Sequence, residues 1–201
     1  MGETSTGNGM TSARPRGRLI AVVGPSGVGK DSLLTLARRE LDGELHFVRR
    51  TITRPVAADA EDHLAASDAD FAACEAAGGF CFSWRAHGLS YGLPIALDDH
   101  LAAGRPAVVN GSRKVLPQMA DRFPGLVIVS VTADPQVIAA RLLARGREDA
   151  DAVAARLARS APVPAVAPVR VIDNSGALEA AAAEFIGALR AFAHSDGLSS
   201  D

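Results

Sequence analysis

Cysteine is scarce: the 201 residues hold two, Cys74 and Cys81. Neither is spaced with histidines as a metal site requires, and a single pair in a chain this long makes no disulfide scaffold. Both are read as buried, reduced thiols. A run of roughly 20 apolar residues, the length of a membrane span, occurs nowhere. Residues 1–17, MGETSTGNGMTSARPRG, lack the apolar stretch of a secretory signal. The expectation is a cytoplasmic protein that engages no membrane. Charge of one sign is lacking too: 21 basic against 23 acidic side chains leave a formal charge of −2 and a pI near 6.2. That balance gives no bulk basic surface for nucleic acid, so an anionic ligand must be met by local arginines.

What is present fits one α/β domain. With 48% apolar residues the chain can build one core of ordinary size. Residues 1–17 and 194–201 are rich in Gly, Ser and Thr or in small polar residues, and are read as disordered tails around a single domain over 18–193. Short apolar or β-branched runs at 18–23, 106–109, 126–131 and 169–172 read as buried parallel strands. Residues 32–41, 136–144, 149–159 and 177–193 carry helical spacing, so strands and helices alternate. The proline-spaced stretch 161–169 cannot be a helix interior and is read as the connection into the last strand. Residues 50–92 have weak periodicity, glycines and aromatics, which suits an inserted lobe of short elements.

The strongest chemical signal is Gly24-Pro25-Ser26-Gly27-Val28-Gly29-Lys30, a G-x-x-x-x-G-K run directly after a predicted strand and before a predicted helix. Its glycines let successive N–H groups curl around phosphate oxygens, the helix start adds positive potential, and Lys30 reaches the outer phosphates. Lys30 is one of two lysines beside nineteen arginines. A lysine in so arginine-biased a chain argues for a compact ammonium at this spot. Asp31 stands where a Ser or Thr magnesium ligand normally follows, with Ser32 next. Its carboxylate either holds the ion, directly or through water, or simply favours the helix start.

The same loop, GPSGxGK, resembles that of the guanylate kinase family, and so does the order of segments downstream. Thr53-Arg54-Pro55, Glu61-Asp62, Ser67, Phe71 and Tyr91-Gly92 resemble its acceptor-side motifs. Arg141-Leu142, Arg145-Gly146-Arg147 and Arg156-Leu157 resemble its lid, over about residues 141–158, and Asp173-Asn174 its segment near the adenine. The departures fall where that family reads guanine. Trp84 stands in place of a base-reading glutamate, His63 in place of a tyrosine, and Asn110-Gly111-Ser112-Arg113 in place of an acidic strand end. Tryptophan cannot accept hydrogen bonds from guanine. GPSGVGKDSL, ITRP, EDH, SW-x-AHGL-x-YG, VNGSR and RGRE together resemble the ribose 1,5-bisphosphate phosphokinases, relatives of guanylate kinase associated with bacterial phosphonate breakdown.

That resemblance implies a three-layer α/β/α P-loop fold with a central parallel sheet, a small acceptor-binding lobe at about 50–92 and a lid. It also implies transfer of the ATP γ-phosphoryl group, with Mg2+, to the 1-phosphate of ribose 1,5-bisphosphate, giving 5-phosphoribosyl 1-diphosphate and ADP. A phosphate acceptor is already a nucleophile, so no general base is expected, only positioning and charge neutralisation. The expected catalytic residues are Lys30, Arg145, Arg147 and Arg156. The alternative for the lid arginines is ion pairing with Glu148, Asp149 or Asp151 on an exposed helix. ATP is expected on residues 24–32 and Asn174, and magnesium on Asp31. The acceptor is expected on Arg50 (favoured over Arg49), Arg54, His87, Tyr91, Asn110, Ser112 and Arg113, whose arginines suit phosphate geometry. Trp84 is read first as core. Two rivals stand beside this reading: a nucleoside monophosphate kinase, and a non-catalytic guanylate-kinase-like binding module. Oligomeric state is not legible.

Overall fold

The structure is a computed structural model and describes residues 16–55, 62–144 and 162–194. Its centre is a five-stranded parallel sheet in the order β2-β7-β1-β8-β9. The strands are β1 (Leu19–Val23), β2 (His46–Phe47), β7 (Ala107–Asn110), β8 (Val127–Thr132) and β9 (Val169–Asp173). The parallel sheet expected from the apolar runs is present, with boundaries shifted by a residue or so.

Side-chain alternation divides the core into two layers. Ile20, Val22, Val108, Val127, Val129 and Val131 face one way. There they meet α1 (Lys30–Glu40), α5 (Pro135–Ala144) and α6 (Leu178–His194) through Leu33, Ala37, Ile138, Leu142, Phe185 and Leu189. Leu19, Ala21, Val23, Ala107, Val109 and Ile128 face the other way. They meet α3 (Ala96–Ala102) and α4 (Leu116–Arg122) through Leu97, Leu101, Leu116 and Met119. A strand residue points to the face opposite its neighbour's, so a continuous apolar run is what a sheet covered on both sides requires. The 149–159 helix expected from spacing lies outside the described residues. Helices α3 and α4 were not legible: α3 carries two acids and a histidine in seven residues, and α4 follows a 3-10 turn at Arg113–Val115.

Between β2 and β7 the chain forms a second sheet, in the order β4-β3-β6-β5. Its strands are β3 (Arg50–Ile52), β4 (His63–Ala65), β5 (Phe80–Ala86) and β6 (Leu89–Pro94), with α2 (Asp68–Ala76) packed against it through Phe71 and Phe80, whose rings lie 4.7 Å apart. Ser67 caps α2 by accepting from the Asp70 N–H at 3.1 Å. The β5–β6 turn places His87 at φ 53° and Gly88 at φ 74°. Both left-handed residues are what a two-residue hairpin turn needs. Trp84 of β5 and Leu93 of β6 belong to the same apolar cluster as Val23 and Val109, so this sheet leans on the main core.

The cysteines depart from expectation in one respect. Cys74 is exposed on α2, while Cys81 is half-buried on β5 and its thiol donates to the Leu93 carbonyl at 3.7 Å. The outward face of a short helix leaves Cys74 uncovered. Burial, and secondarily the charge of Asp98, push the Cys81 thiol up to about 11, with Arg122 opposing. Its nucleophilic thiolate is therefore a minor species until pH rises to about that value. Limited alkylation at pH 8 is expected to modify Cys74 first; mass spectrometry finding Cys81 modified equally fast would contradict this. No helix among the described residues is long and apolar enough to cross a membrane.

Candidate active site

Residues 24–29 link the end of β1 to the start of α1, at the carboxyl edge of the parallel sheet where α/β proteins hold ligands. Crowding dictates the glycines. A Cβ on Gly24 would lie 2.4 Å from the Val131 carbonyl oxygen, and one on Gly27 2.8 Å from Leu142 Cγ. Gly29 precedes α1 in the left-handed region at φ 92°, and a Cβ there would lie 2.4 Å from Asn174 Nδ2. Lys30 donates from Nζ to the Gly24 carbonyl at 2.9 Å and the Pro25 carbonyl at 3.1 Å. Its ammonium thus spans the loop at the place where phosphate charge would have to be met. Pro25 is half-buried, Ser26 exposed, and Val28 buried beneath the loop. The first turn of α1 opens with Asp31 and Ser32, both exposed.

Asn110 ends β7 beside Val22 of β1, and its Nδ2 donates to Asp31 Oδ1 at 3.4 Å. Gly111 N–H donates to the Val22 carbonyl at 2.8 Å, and the half-buried Ser112 precedes the short turn that carries Arg113. Burial lowers the Arg113 pKa from its ordinary value. A cation in that position gains from an anionic ligand, which offsets its desolvation. Asp31, Asn110, Ser112 and Arg113 therefore line one edge of the sheet next to the loop.

On the other side, β3 carries Arg50, which is buried with its guanidinium over two rings, 5.7 Å from the Trp84 centroid and 5.2 Å from the Tyr91 centroid. Trp84 and Tyr91 are cross-strand partners on β5 and β6, and their rings stack at 5.1 Å and 6°. Cation–π attraction holds a guanidinium over such rings. Trp84 is core, as read from the sequence, yet it also forms the platform for Arg50. Its indole Nε1 is buried without a hydrogen-bond partner among the described residues. Arg49, the rejected neighbour, is exposed and pairs with Asp62 at 2.8 Å, which also pairs with Arg38.

Arg54 is half-buried just after β3, and its carbonyl is held by the buried ring of His63 at 3.2 Å. Two expected site residues are placed differently. His87 lies at the exposed tip of the β5–β6 turn, outside the ring stack, because the turn demands its positive φ. Asn174, expected near the adenine, is buried at 1% exposure behind the loop, with Nδ2 donating to the Val28 carbonyl at 2.7 Å. Arg141 of α5 donates to that same carbonyl at 3.3 Å. Arg145, Arg147 and Arg156 lie outside the described residues, as does Glu61. The supporting roles of Trp84, His63 and Arg141 were missed because each rests on contacts between distant segments; the replacements at Trp84 and His63 and the motif around Arg141 marked the positions but not these contacts.

No protein-family model matches the chain. A ribose 1,5-bisphosphate phosphokinase of Laribacter hongkongensis is 53% identical over 188 residues, 92% of this chain and 46% of that protein. The bifunctional ribose 1,5-bisphosphokinase-thymidine phosphorylase of Cupriavidus necator is 49% identical over 175 residues, 87% of this chain and 29% of that protein. The chain thus spans less than half the length of these two relatives. It spans 90% of the ribose 1,5-bisphosphate phosphokinase of Rhizobium etli, at 46% identity over 177 residues. Among solved structures, guanylate kinase from Anaplasma phagocytophilum superposes with a TM-score of 0.66 at 15% identity, over 91% of this chain and 89% of that one. A gluconokinase from Sinorhizobium meliloti gives 0.52 at 18% identity, over 90% and 95%. The fold is guanylate kinase-like.

Proposed function

Since the chain belongs to the ribose 1,5-bisphosphate phosphokinase family, we propose that it transfers the γ-phosphoryl group of ATP to ribose 1,5-bisphosphate, yielding 5-phosphoribosyl 1-diphosphate and ADP. The observation that carries this reading is the stack of Arg50 on Trp84 and Tyr91. Where a guanylate-type site needs hydrogen-bond acceptors for a base, this wall offers a planar cation and an indole that can only donate. Such a wall suits phosphate, not guanine.

In the reaction, an oxygen of the 1-phosphate attacks the γ-phosphorus as the bond from that phosphorus to the β-phosphate oxygen breaks. The attacking oxygen is already anionic, so no proton needs removal. Loop N–H groups and Lys30 hold the donor, and Arg50, Arg54, Ser112 and Arg113 orient the acceptor, with Tyr91 packing the sugar. The lid arginines Arg145, Arg147 and Arg156 supply charge to the transition state over a lid at about 141–158. Magnesium accompanying ATP would supply charge neutralisation as phosphoryl transfer proceeds. Asp31 would hold it, with Asn110 steadying the carboxylate. One protein carboxylate plus substrate phosphates and water is the usual manner of holding that ion. ATP as donor places the reaction in the cytoplasm, with small molecules as the partners.

The test is an acceptor panel at saturating ATP and magnesium, comparing ribose 1,5-bisphosphate with GMP, AMP, CMP and UMP by ADP release. The sugar bisphosphate is expected to exceed every nucleotide by at least about 100-fold in kcat/KM, the discrimination that unpaired polar groups impose. Preference for GMP would establish the nucleoside monophosphate kinase instead, and failure to bind ATP at all would establish the non-catalytic module.

A further inference from the structure

The Val28–Gly29 peptide of the phosphate loop is restrained by side chains from distant segments. Its carbonyl accepts from Asn174 Nδ2 at 2.7 Å and from Arg141 Nη1 at 3.3 Å. Asn174 is itself fixed: it is buried, and its own N–H donates to the Thr132 carbonyl of β8 at 2.8 Å. Its amide lies so close to Gly29 that a Cβ there would sit 2.4 Å from Nδ2. In a trans peptide the carbonyl and the following N–H point in opposite directions. Holding the Val28 carbonyl toward Asn174 therefore turns the Gly29 N–H the opposite way.

We infer that Asn174 is a positioning residue for nucleotide binding, acting through the Val28 carbonyl to aim the Gly29 N–H at a phosphate oxygen, with Arg141 as the second donor. This rests on the reading of the loop as the nucleotide cradle, and it replaces the expected contact of Asn174 with the adenine. An unrestrained loop glycine is free to rotate that peptide, because both signs of φ are open to it. The donor that holds the peptide comes from 146 residues away in the chain. Arg141 lies in the last turn of α5, the helix from which Ile138 and Leu142 approach Gly27, so α5 restrains the loop at two neighbouring points.

The chemistry of the contact provides a test that mere packing would not answer. Asn174→Asp is isosteric but removes the N–H donor, and sets a carboxylate against the Val28 oxygen. Burial and that oxygen raise the pKa of the introduced carboxyl, and once protonated it donates an O–H along the same line. The affinity for ADP with magnesium, measured by calorimetry without any acceptor, is expected to fall at least about tenfold relative to wild type at pH 8. The variant-to-wild-type ratio of Kd values is expected to shrink steadily toward one as pH is lowered toward about 5.5. Asn174→Ala, which cannot donate at any pH, should show a constant ratio.

An Asn174→Asp affinity within twofold of wild type at pH 8, or a deficit that does not change with pH, would overturn the inference. Should Asn174→Asp not fold, Arg141→Met decides: a weakening of about threefold in Kd supports the two-donor restraint, and an unchanged Kd contradicts it. Because only nucleotide binding is read, a wrong acceptor leaves the test intact. Wild-type protein that does not bind ADP would instead refute the cradle itself.

Discussion

Lys30→Ala is expected to lower kcat by about 10³-fold or more while the protein still folds. A preorganised charge placed where phosphoryl charge develops is worth on the order of 10²–10³ in rate even when it is a single neutral donor, and an ammonium interacts more strongly. In the structure Lys30 makes no part of the apolar core; it donates to the Gly24 and Pro25 carbonyls of its own loop. Losing those bonds costs about 1 kcal/mol each, so thermal unfolding should move by only a few degrees. ADP release in a coupled assay, beside a circular dichroism melt, measures both. Turnover within threefold of wild type would remove Lys30, and with it the loop, from the mechanism. Lys30→Arg should recover little, because a branched planar cation does not fit where a compact ammonium reaches two carbonyls 2.9 and 3.1 Å away.

Arg50→Ala should raise the KM for ribose 1,5-bisphosphate by about 100-fold and leave the affinity for ATP unchanged. Each hydrogen bond to a charged group contributes about 1.5–3 kcal/mol, so a lost bidentate contact accounts for two orders of magnitude. The side chain is 6% exposed and lies on Trp84 and Tyr91, so the variant also loses packing; Arg50→Lys separates the two effects. Lysine keeps the charge but not the flat surface that lies on both rings, and it should restore the KM only in part. Titrating each substrate at saturation of the other distinguishes an acceptor role from a general one. An equal rise in both KM values would assign Arg50 to the fold.

The phosphate loop was legible because its demands are local. Glycines tolerate φ of 83° and 92° at Gly27 and Gly29, an apolar run precedes them, and helical spacing follows. The same locality made β1, β7, β8 and β9 readable, since strands covered on both faces are apolar throughout. Residues 50–92 were opaque for the opposite reason. β3 pairs with β6, about 40 residues along the chain, and β3 and β4 are three residues each, too short for a periodicity to show. The choice between Arg49 and Arg50 shows the difference at a single peptide. Successive strand residues face opposite sides, and only the paired sheet decides that Arg49 goes outward to Asp62 while Arg50 goes inward to the rings.

By itself the sequence determined the loop: a glycine-rich turn between strand and helix, the lysine that ends it, and a tryptophan, not a carboxylate, at Trp84. Those features depend on residue type and on spacing within a turn or two of chain, which the backbone expresses wherever the segment is placed. Tertiary structure alone decided what holds the loop in shape and what packs around Arg50. Asn174 lies 146 residues from the carbonyl it restrains, and Arg50 meets Trp84 and Tyr91 only because β6 pairs with both β3 and β5. Such contacts arise from burial and pairing of remote segments, which are global consequences of packing one core and have no spacing by which to be read.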